Sequence, residues 1–153
     1  MIFQILIFVA AFLLAVLCFK LFLNPVKPAN LEKGQICFGQ KCFQVELAQT
    51  PEQREYGLMN RSYLDANAGM LFIFDKQGIY PFWMKNTLIP LDIIWIDNSG
   101  KVVFIKENAQ PCTNFLCPNI IPTSSAKYVL ELNAGICNET GIKLGDQLKI
   151  PAL

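Results

Sequence analysis

The chain has 153 residues, with 13 basic and 12 acidic side chains, no histidine and a net charge of +1. This length accommodates one domain plus an extension, and the even charge balance offers no basic patch of the kind nucleic-acid binding needs. The lack of histidine excludes imidazole acid–base catalysis, Ser-His-Asp and Cys-His nucleophile systems, and any His-ligated metal site.

Residues 1–23 are almost wholly apolar, interrupted only by Gln4 and Lys20. A helix rises ~1.5 Å per residue and ~20 residues span the hydrocarbon core, so with its flanks this segment just crosses a membrane. A signal peptide would show a charged n-region and a small-x-small cleavage site, and neither is clear here. Leu17 is too large for a lipidation box at Cys18. The expected organisation is an N-terminal membrane anchor or signal segment over 1–23, a linker over 24–35 with Pro25 and Pro28, and one β-rich domain over 36–153. Lys20, Lys27 and Lys33 follow the apolar run, and by the positive-inside rule they would place the domain in the cytoplasm.

The cysteines argue for the opposite side. Cys37 and Cys42 flank Gly39-Gln40, which reads as a two-residue hairpin loop with glycine at the first central position of a type II′ turn. The two cysteines would then face each other where strands approach most closely, about 4.5 Å between Cα atoms, within reach of a disulfide. Cys112 and Cys117 enclose a four-residue loop that Pro118 stiffens, a second small staple. A four-cysteine zinc site is the rival reading, although the C-x4-C spacing is at the upper limit for zinc knuckles. Two disulfides imply an oxidising compartment, whereas zinc would permit the cytoplasm. Cys137 is left over and reads as a small buried core residue.

Residues 43–47 alternate apolar and polar, as a half-buried strand does. Thr50 is a good helix N-cap, Pro51 suits the first helical position and Gln53 completes a capping box. This helix is expected over 51–59, ending near Asn60. Residues 69–74 read as a buried strand and 75–78 as a turn. Strands over 91–97 and 102–106 would be joined by a hairpin turn at Asn98-Ser99-Gly100. A strand over 128–132, a short helix over 134–140 and a last strand over 147–150 complete the chain. The order argues for an α+β fold: a compact, mostly antiparallel, barrel-like domain with one or two short helices, preceded by a single apolar helix.

Residues 82–97 carry the richest chemistry. Lys85, Asn86, Thr87 and Asp92 stand among large apolar side chains, Trp83 and Trp95 included. Both faces of the strand around Asp92 are apolar, so its carboxylate needs a partner, because burying an unpaired charge is very costly. Lys85, Arg61 and the backbone N–H groups of the 86–90 turn are the candidates. Asp92 then either fastens that turn or serves a pocket in which Lys85 or Arg61 holds an anionic or polyhydroxyl ligand. Trp83 is either core or a flat pocket wall. Glu131 interrupts an apolar strand with no obvious partner, and a hydrogen bond to a neighbouring turn is expected for it. Met59, Met70 and Met84 are too dispersed for a soft-metal site and read as core. No metal or cofactor is implied.

Five motifs carry a resemblance. They are Glu55-Tyr56-Gly57-Leu58-Met59-Asn60-Arg61; Gly69-Met70-Leu71-Phe72-Ile73-Phe74; Phe82-Trp83-Met84-Lys85-Asn86-Thr87 with Pro90-Leu91-Asp92; Tyr128-Val129-Leu130-Glu131-Leu132 with Gly135; and Gly141-Ile142-Lys143-Leu144-Gly145-Asp146. In order and spacing the chain resembles the domain of unknown function 192 family over residues 43–150. The resemblance implies a small β-rich α+β fold and an extracytoplasmic place, and no established activity. Cys112 and Cys117 look like a feature of part of that family, whereas Cys37 and Cys42 precede the resembling region.

Two function classes follow. The first is a membrane-tethered, extracytoplasmic accessory or small-ligand-binding module, its pocket built from Arg61, Trp83, Lys85, Asn86, Thr87 and Asp92. Its partners would be the membrane, through the N-terminal helix, and an unknown small molecule or envelope component, with no nucleic acid. The second is an envelope hydrolase or transferase using Asp92 as general base and Lys85 as electrostatic stabiliser. Glycosidase chemistry would need a second carboxyl group, for which Glu131 is the one comparable candidate.

Overall fold

The computed structural model describes residues 9, 12–16, 28, 30–114 and 116–150. Most of the expected N-terminal anchor lies outside the described residues. Within it, residues 12–16 are helical and exposed. Among the described residues, no helix is long and apolar enough to cross a membrane.

Six strands and two short helices follow in the order β1 (Glu32–Phe38), β2 (Lys41–Ala48), α1 (Pro51–Tyr56), β3 (Ala68–Gly78), β4 (Leu91–Ile96), β5 (Val102–Ala109), β6 (Ala126–Asn133) and α2 (Ile136–Thr140). They form one mixed sheet with strand order β1-β2-β3-β6-β4-β5. Only β2 and β3 run parallel, because α1 carries the chain across between them, and the other neighbours are antiparallel. The fold is α+β, as expected, but the sheet is not closed. The segment read as a closing strand over 147–150 makes only isolated bridges, Gln147 to Lys101 and Lys149 to Cys37.

Local signals placed the early elements well. Cys37 pairs with Cys42 and Phe38 with Lys41, so Gly39 and Gln40 form the loop, with Gly39 at φ 56°. The Thr50 hydroxyl accepts from Gln53 N, and Gln53 Oε1 accepts from Thr50 N at 2.9 Å, a complete capping box. The helix is shorter than expected. Gly57 takes φ 49° and ends it, and a Cβ there would lie 3.2 Å from the Phe72 ring. This glycine lets the chain leave the helix close against β3.

Two other boundaries differ. β1 begins at Glu32, inside the stretch read as linker, because Glu32 pairs with Leu47 of β2. β3 continues through residues 75–78, read as a turn from their polarity. The strand overhangs the sheet there, its ladder to β6 shifting register between Ile73 and Gly78. Gln77 pins the overhang by accepting from Asn98 N at 3.0 Å and donating to Ser125 Oγ at 2.9 Å.

Each face of the sheet carries its own core. One contains Phe43, Val45, Leu71, Ile94, Ile96, Leu130 and Leu132 under α2 and the C-terminal segment. The other contains Met70, Phe72, Leu91, Ile93, Trp95 and Val129 under Leu58, Leu64 and Met84. β4 is buried along its whole length because both faces are covered, which is why its sequence reads as a near-continuous apolar run.

The cysteine pairs close on themselves. Cα separations are 4.1 Å for Cys37–Cys42 and 5.9 Å for Cys112–Cys117. Among the described residues, no three metal-ligating side chains gather as a shared zinc site would require. Thiol alkylation of the native protein, followed by mass spectrometry, is expected to leave these four cysteines unlabelled and Cys137 protected until unfolding. Labelling of all four without a reductant would overturn both pairings.

Candidate functional site

Asp92 sits on β4, 1% exposed, facing α2. Its Oδ1 accepts from Asn108 N at 2.9 Å and its Oδ2 from Cys137 N at 2.8 Å. The first donor arises from a bulge. Between the pairs Leu91–Ala109 and Ile93–Lys106, two residues of β5 face the single Asp92. Asn108 turns to φ 47° there, and Asp92 takes its N–H. The second donor lies in the first turn of α2, whose N-cap Gly135 has no side chain to accept it. Asp92 thus joins three elements, and neither Lys85, Arg61 nor the 86–90 turn is its partner. Each oxygen takes a backbone N–H and the side chain is 1% exposed, so the carboxylate is held as a structural tie between these elements. Burial, with the Asp92 carboxylate beside it, pushes the Cys137 thiol well up, which makes it inert as a nucleophile.

The opposite face of the sheet opens into a cleft of about 260 Å³. One wall is the exit of α1, with Arg54, Glu55, Tyr56 and Met59; the other is residues 80–87, with Tyr80, Phe82, Trp83, Lys85 and Thr87. Phe72, Phe74 and Glu131 come from the sheet between them. The walls are fixed by backbone. Asn60 N donates to Asn86 O at 2.8 Å, tying one wall to the other. Asn86 N donates to Cys112 O at 2.8 Å and Cys112 N to Met84 O at 3.1 Å, so the Cys112–Cys117 loop braces the Lys85 wall. The Trp95 indole donates to Tyr80 O at 2.9 Å, and Phe82 packs edge-on against both Phe72 and Trp95.

The polar groups of the cleft are few. Lys85 Nζ lies 5.0 Å from the Trp83 ring centroid, and Trp83 is 36% exposed, a wall rather than a core residue. Thr87 is 5% exposed and Glu131 4% exposed at the floor. Glu131 stands between Met70 of β3 and Ile93 of β4 in the ladder. Burial in this apolar row pushes its carboxyl up to about 8, against a smaller downward pull from Arg61. The carboxyl is therefore largely protonated at neutral pH. Its side chain has no hydrogen-bond partner among the described residues, so the neighbouring turn expected to hold it is absent. Among the described residues no fully sealed polar side-chain atom lacks a partner, which leaves the Glu131 oxygens bordering the cleft.

A family model for DUF192, described as an uncharacterized ACR, matches residues 34–150. The chain belongs to the DUF192 family. A solved structure from Sinorhizobium meliloti 1021, whose description suggests a transcription regulator, is 36% identical with a TM-score of 0.73; the match covers 80% of this chain and 96% of that one. A second, from Novosphingobium aromaticivorans DSM 12444 and described as a protein of unknown function, is 32% identical with a TM-score of 0.73, over 83% of this chain and 93% of that one. No curated protein matches the chain.

In this DUF192 domain, four of the five motifs read from the sequence meet at the cleft. Of the six expected site residues, Trp83, Lys85 and Thr87 line it. Arg61 lies in a separate depression, where it forms a two-pronged ion pair with Glu46, one hydrogen bond measuring 2.8 Å. Asn86 serves as a turn residue at φ 54°. Asp92 is on the other side of the sheet. Sequence reasoning missed Tyr56, Tyr80 and the arrangement of Glu131. The available signal was the charge of Glu131 at an apolar position of β6, which announces a buried carboxyl but not what it faces.

Proposed function

We propose that this DUF192 domain is a small-ligand-binding module held outside the cytoplasm by its N-terminal segment. The observation that carries the binding reading is the buried, unpartnered carboxyl of Glu131 at the floor of a cleft with aromatic walls. Ligand sites are typically apolar concavities with a few convergent polar groups, and a strongly perturbed titratable group in a cleft marks such a place. Rigid bracing of both walls favours binding further, since a preformed site loses less entropy on occupation. The description of the Sinorhizobium protein is not carried over to this chain, whose net charge of +1 gives nucleic-acid binding no support.

A screen of small amines, acids, sugars and aromatic compounds by thermal shift on the full chain tests this, because any native-state binder raises the midpoint. Hits are expected to move the Trp83 indole resonance and to be lost in Trp83→Ala with Thr87→Val. Hits that persist in that double variant would place binding elsewhere.

For the tether, the supports are the apolar run at 1–23 and the two cysteine pairs at bonding separation. The full chain is expected in the membrane fraction, its domain digested by protease added outside. Protection of the domain until the membrane is breached would reverse the orientation.

A further inference from the structure

The charges of the cleft are sorted by depth. At the floor lies the Glu131 carboxyl, with the Thr87 hydroxyl also lining the cavity. Nearer the mouth are two cations. Lys85 is half-buried against Trp83, and Arg54 lies with its guanidinium 5.0 Å from the Phe74 ring centroid, one nitrogen donating to Ile73 O at 2.8 Å. Neither cation has a carboxylate within salt-bridge distance among the described residues, where the ion pairs are Lys41–Glu139 and Arg61–Glu46. Between floor and mouth the surface is aromatic and apolar.

We infer that the cleft takes a small zwitterion, its ammonium end on Glu131 and Thr87 and its acid end on Lys85, an inference that rests on the cleft being a ligand site. Three physical arguments favour this class. A carboxyl surrounded by Met70, Ile93 and Phe72 becomes a good anion only when a cation arrives beside it, and an ammonium supplies both the charge and the hydrogen-bond donors. Aromatic walls such as Phe82 add attraction for a cation. Lys85 lacks an acidic partner and so offers one end of the cleft to an anion. A purely cationic ligand would leave Lys85 opposing it, and a purely anionic ligand could take a hydrogen bond from the protonated Glu131 carboxyl but would face a like charge once that group ionises.

The other charged or titratable groups around Glu131 are already engaged or stand off. Arg61 is held by Glu46 on the β2 side. Glu55 is exposed at the rim, and Tyr56 and Tyr80 line the walls. Asp92 lies on the opposite face of the sheet. Ammonium binding therefore requires the ionised form of Glu131, and below pH ~8 each binding event releases its proton. The apparent affinity rises with pH until the group is ionised, and falls again only when the ligand amine loses its proton near pH ~10.

The test uses the full chain and ω-amino acids of increasing length, from glycine to 8-aminooctanoate, with n-alkylamines and n-alkanoates of matching length as single-ended probes. Binding is read at the Trp83 indole N–H resonance. One chain length is expected to bind at least tenfold more tightly than its single-ended counterparts. Its affinity should be about a hundredfold weaker at pH 6 than at pH 9, and this dependence should vanish in Glu131→Gln along with most of the affinity. Lys85→Met should bring the zwitterion down to the level of the alkylamine. Amines binding as tightly as zwitterions, or alkanoates binding while amines do not, would overturn the inference and leave the cleft a ligand site. If no probe of any class moves Trp83, both readings fall together.

Discussion

Replacement of Asp92 by alanine is expected to destabilise the domain by about 3–5 kcal/mol, a large share of the ~5–15 kcal/mol that holds a typical domain folded. The carboxylate accepts from Asn108 N in the β5 bulge and from Cys137 N in α2, and it is 1% exposed. Its removal leaves two buried N–H groups without acceptors, each costing ~1–3 kcal/mol, and opens a small void. Asp92→Asn keeps the volume but turns one acceptor into a donor aimed at another donor, and roughly 1–3 kcal/mol should be lost. Denaturant unfolding of both variants checks this. Midpoints within error of wild type for both variants would show that the two backbone contacts carry no stability.

Glu131→Gln is expected to act in the opposite direction. The Glu131 carboxyl is raised from 4.5 to about 8 by burial. Between those values the folded chain binds a proton that the unfolded chain has released. Stability contributed by this group is therefore complete below pH ~4.5 and is lost as pH rises, until the slope ends near pH ~8. Glutamine carries no charge to desolvate, so the variant should be more stable than wild type at pH 7.5 by on the order of 3 kcal/mol and nearly equal to it at pH 4.5. The decisive measurement is the difference in unfolding free energy between the two proteins across this range. Parallel curves would mean that water already solvates the carboxyl in the folded state. A group that lowers stability at neutral pH is readily understood if it serves a ligand, because functional sites commonly hold destabilising residues.

Much of the architecture was legible along the chain. The Gly39-Gln40 loop set the Cys37–Cys42 register, because a two-residue turn with a left-handed first position permits one pairing only. Thr50 and Gln53 fixed the start of α1 through hydrogen bonds spanning three residues. The apolar stretch 91–96 announced a strand covered on both sides. The end of α1 was misplaced because Gly57 does its work against Phe72, a residue far along the chain.

The site was legible only in part. Residues 82–87 were recognised as polar chemistry in an apolar frame, and Trp83, Lys85 and Thr87 do face the cleft. The partners of Asp92 were not foreseen, since Asn108 and Cys137 lie 16 and 45 residues away. Glu131 stood out as a carboxyl in an apolar strand, but the turn expected to bond it is not there, and its neighbours Met70 and Ile93 come from strands that only the sheet order brings beside it.

What the sequence determined by itself was therefore what depends on contacts a few residues apart: turns, caps, alternation and the demand that buried charges be satisfied. It also carried the family, through motifs whose order and spacing survive as a linear pattern. Only the tertiary structure decided that the sheet stays open, that Asp92 looks to one face and Glu131 to the other, and that Arg61 spends its charge on Glu46. The physical reason is the same in each case. Side-chain period fixes the face of a strand, but which strands adjoin, and what covers each face, is settled by packing distant segments together.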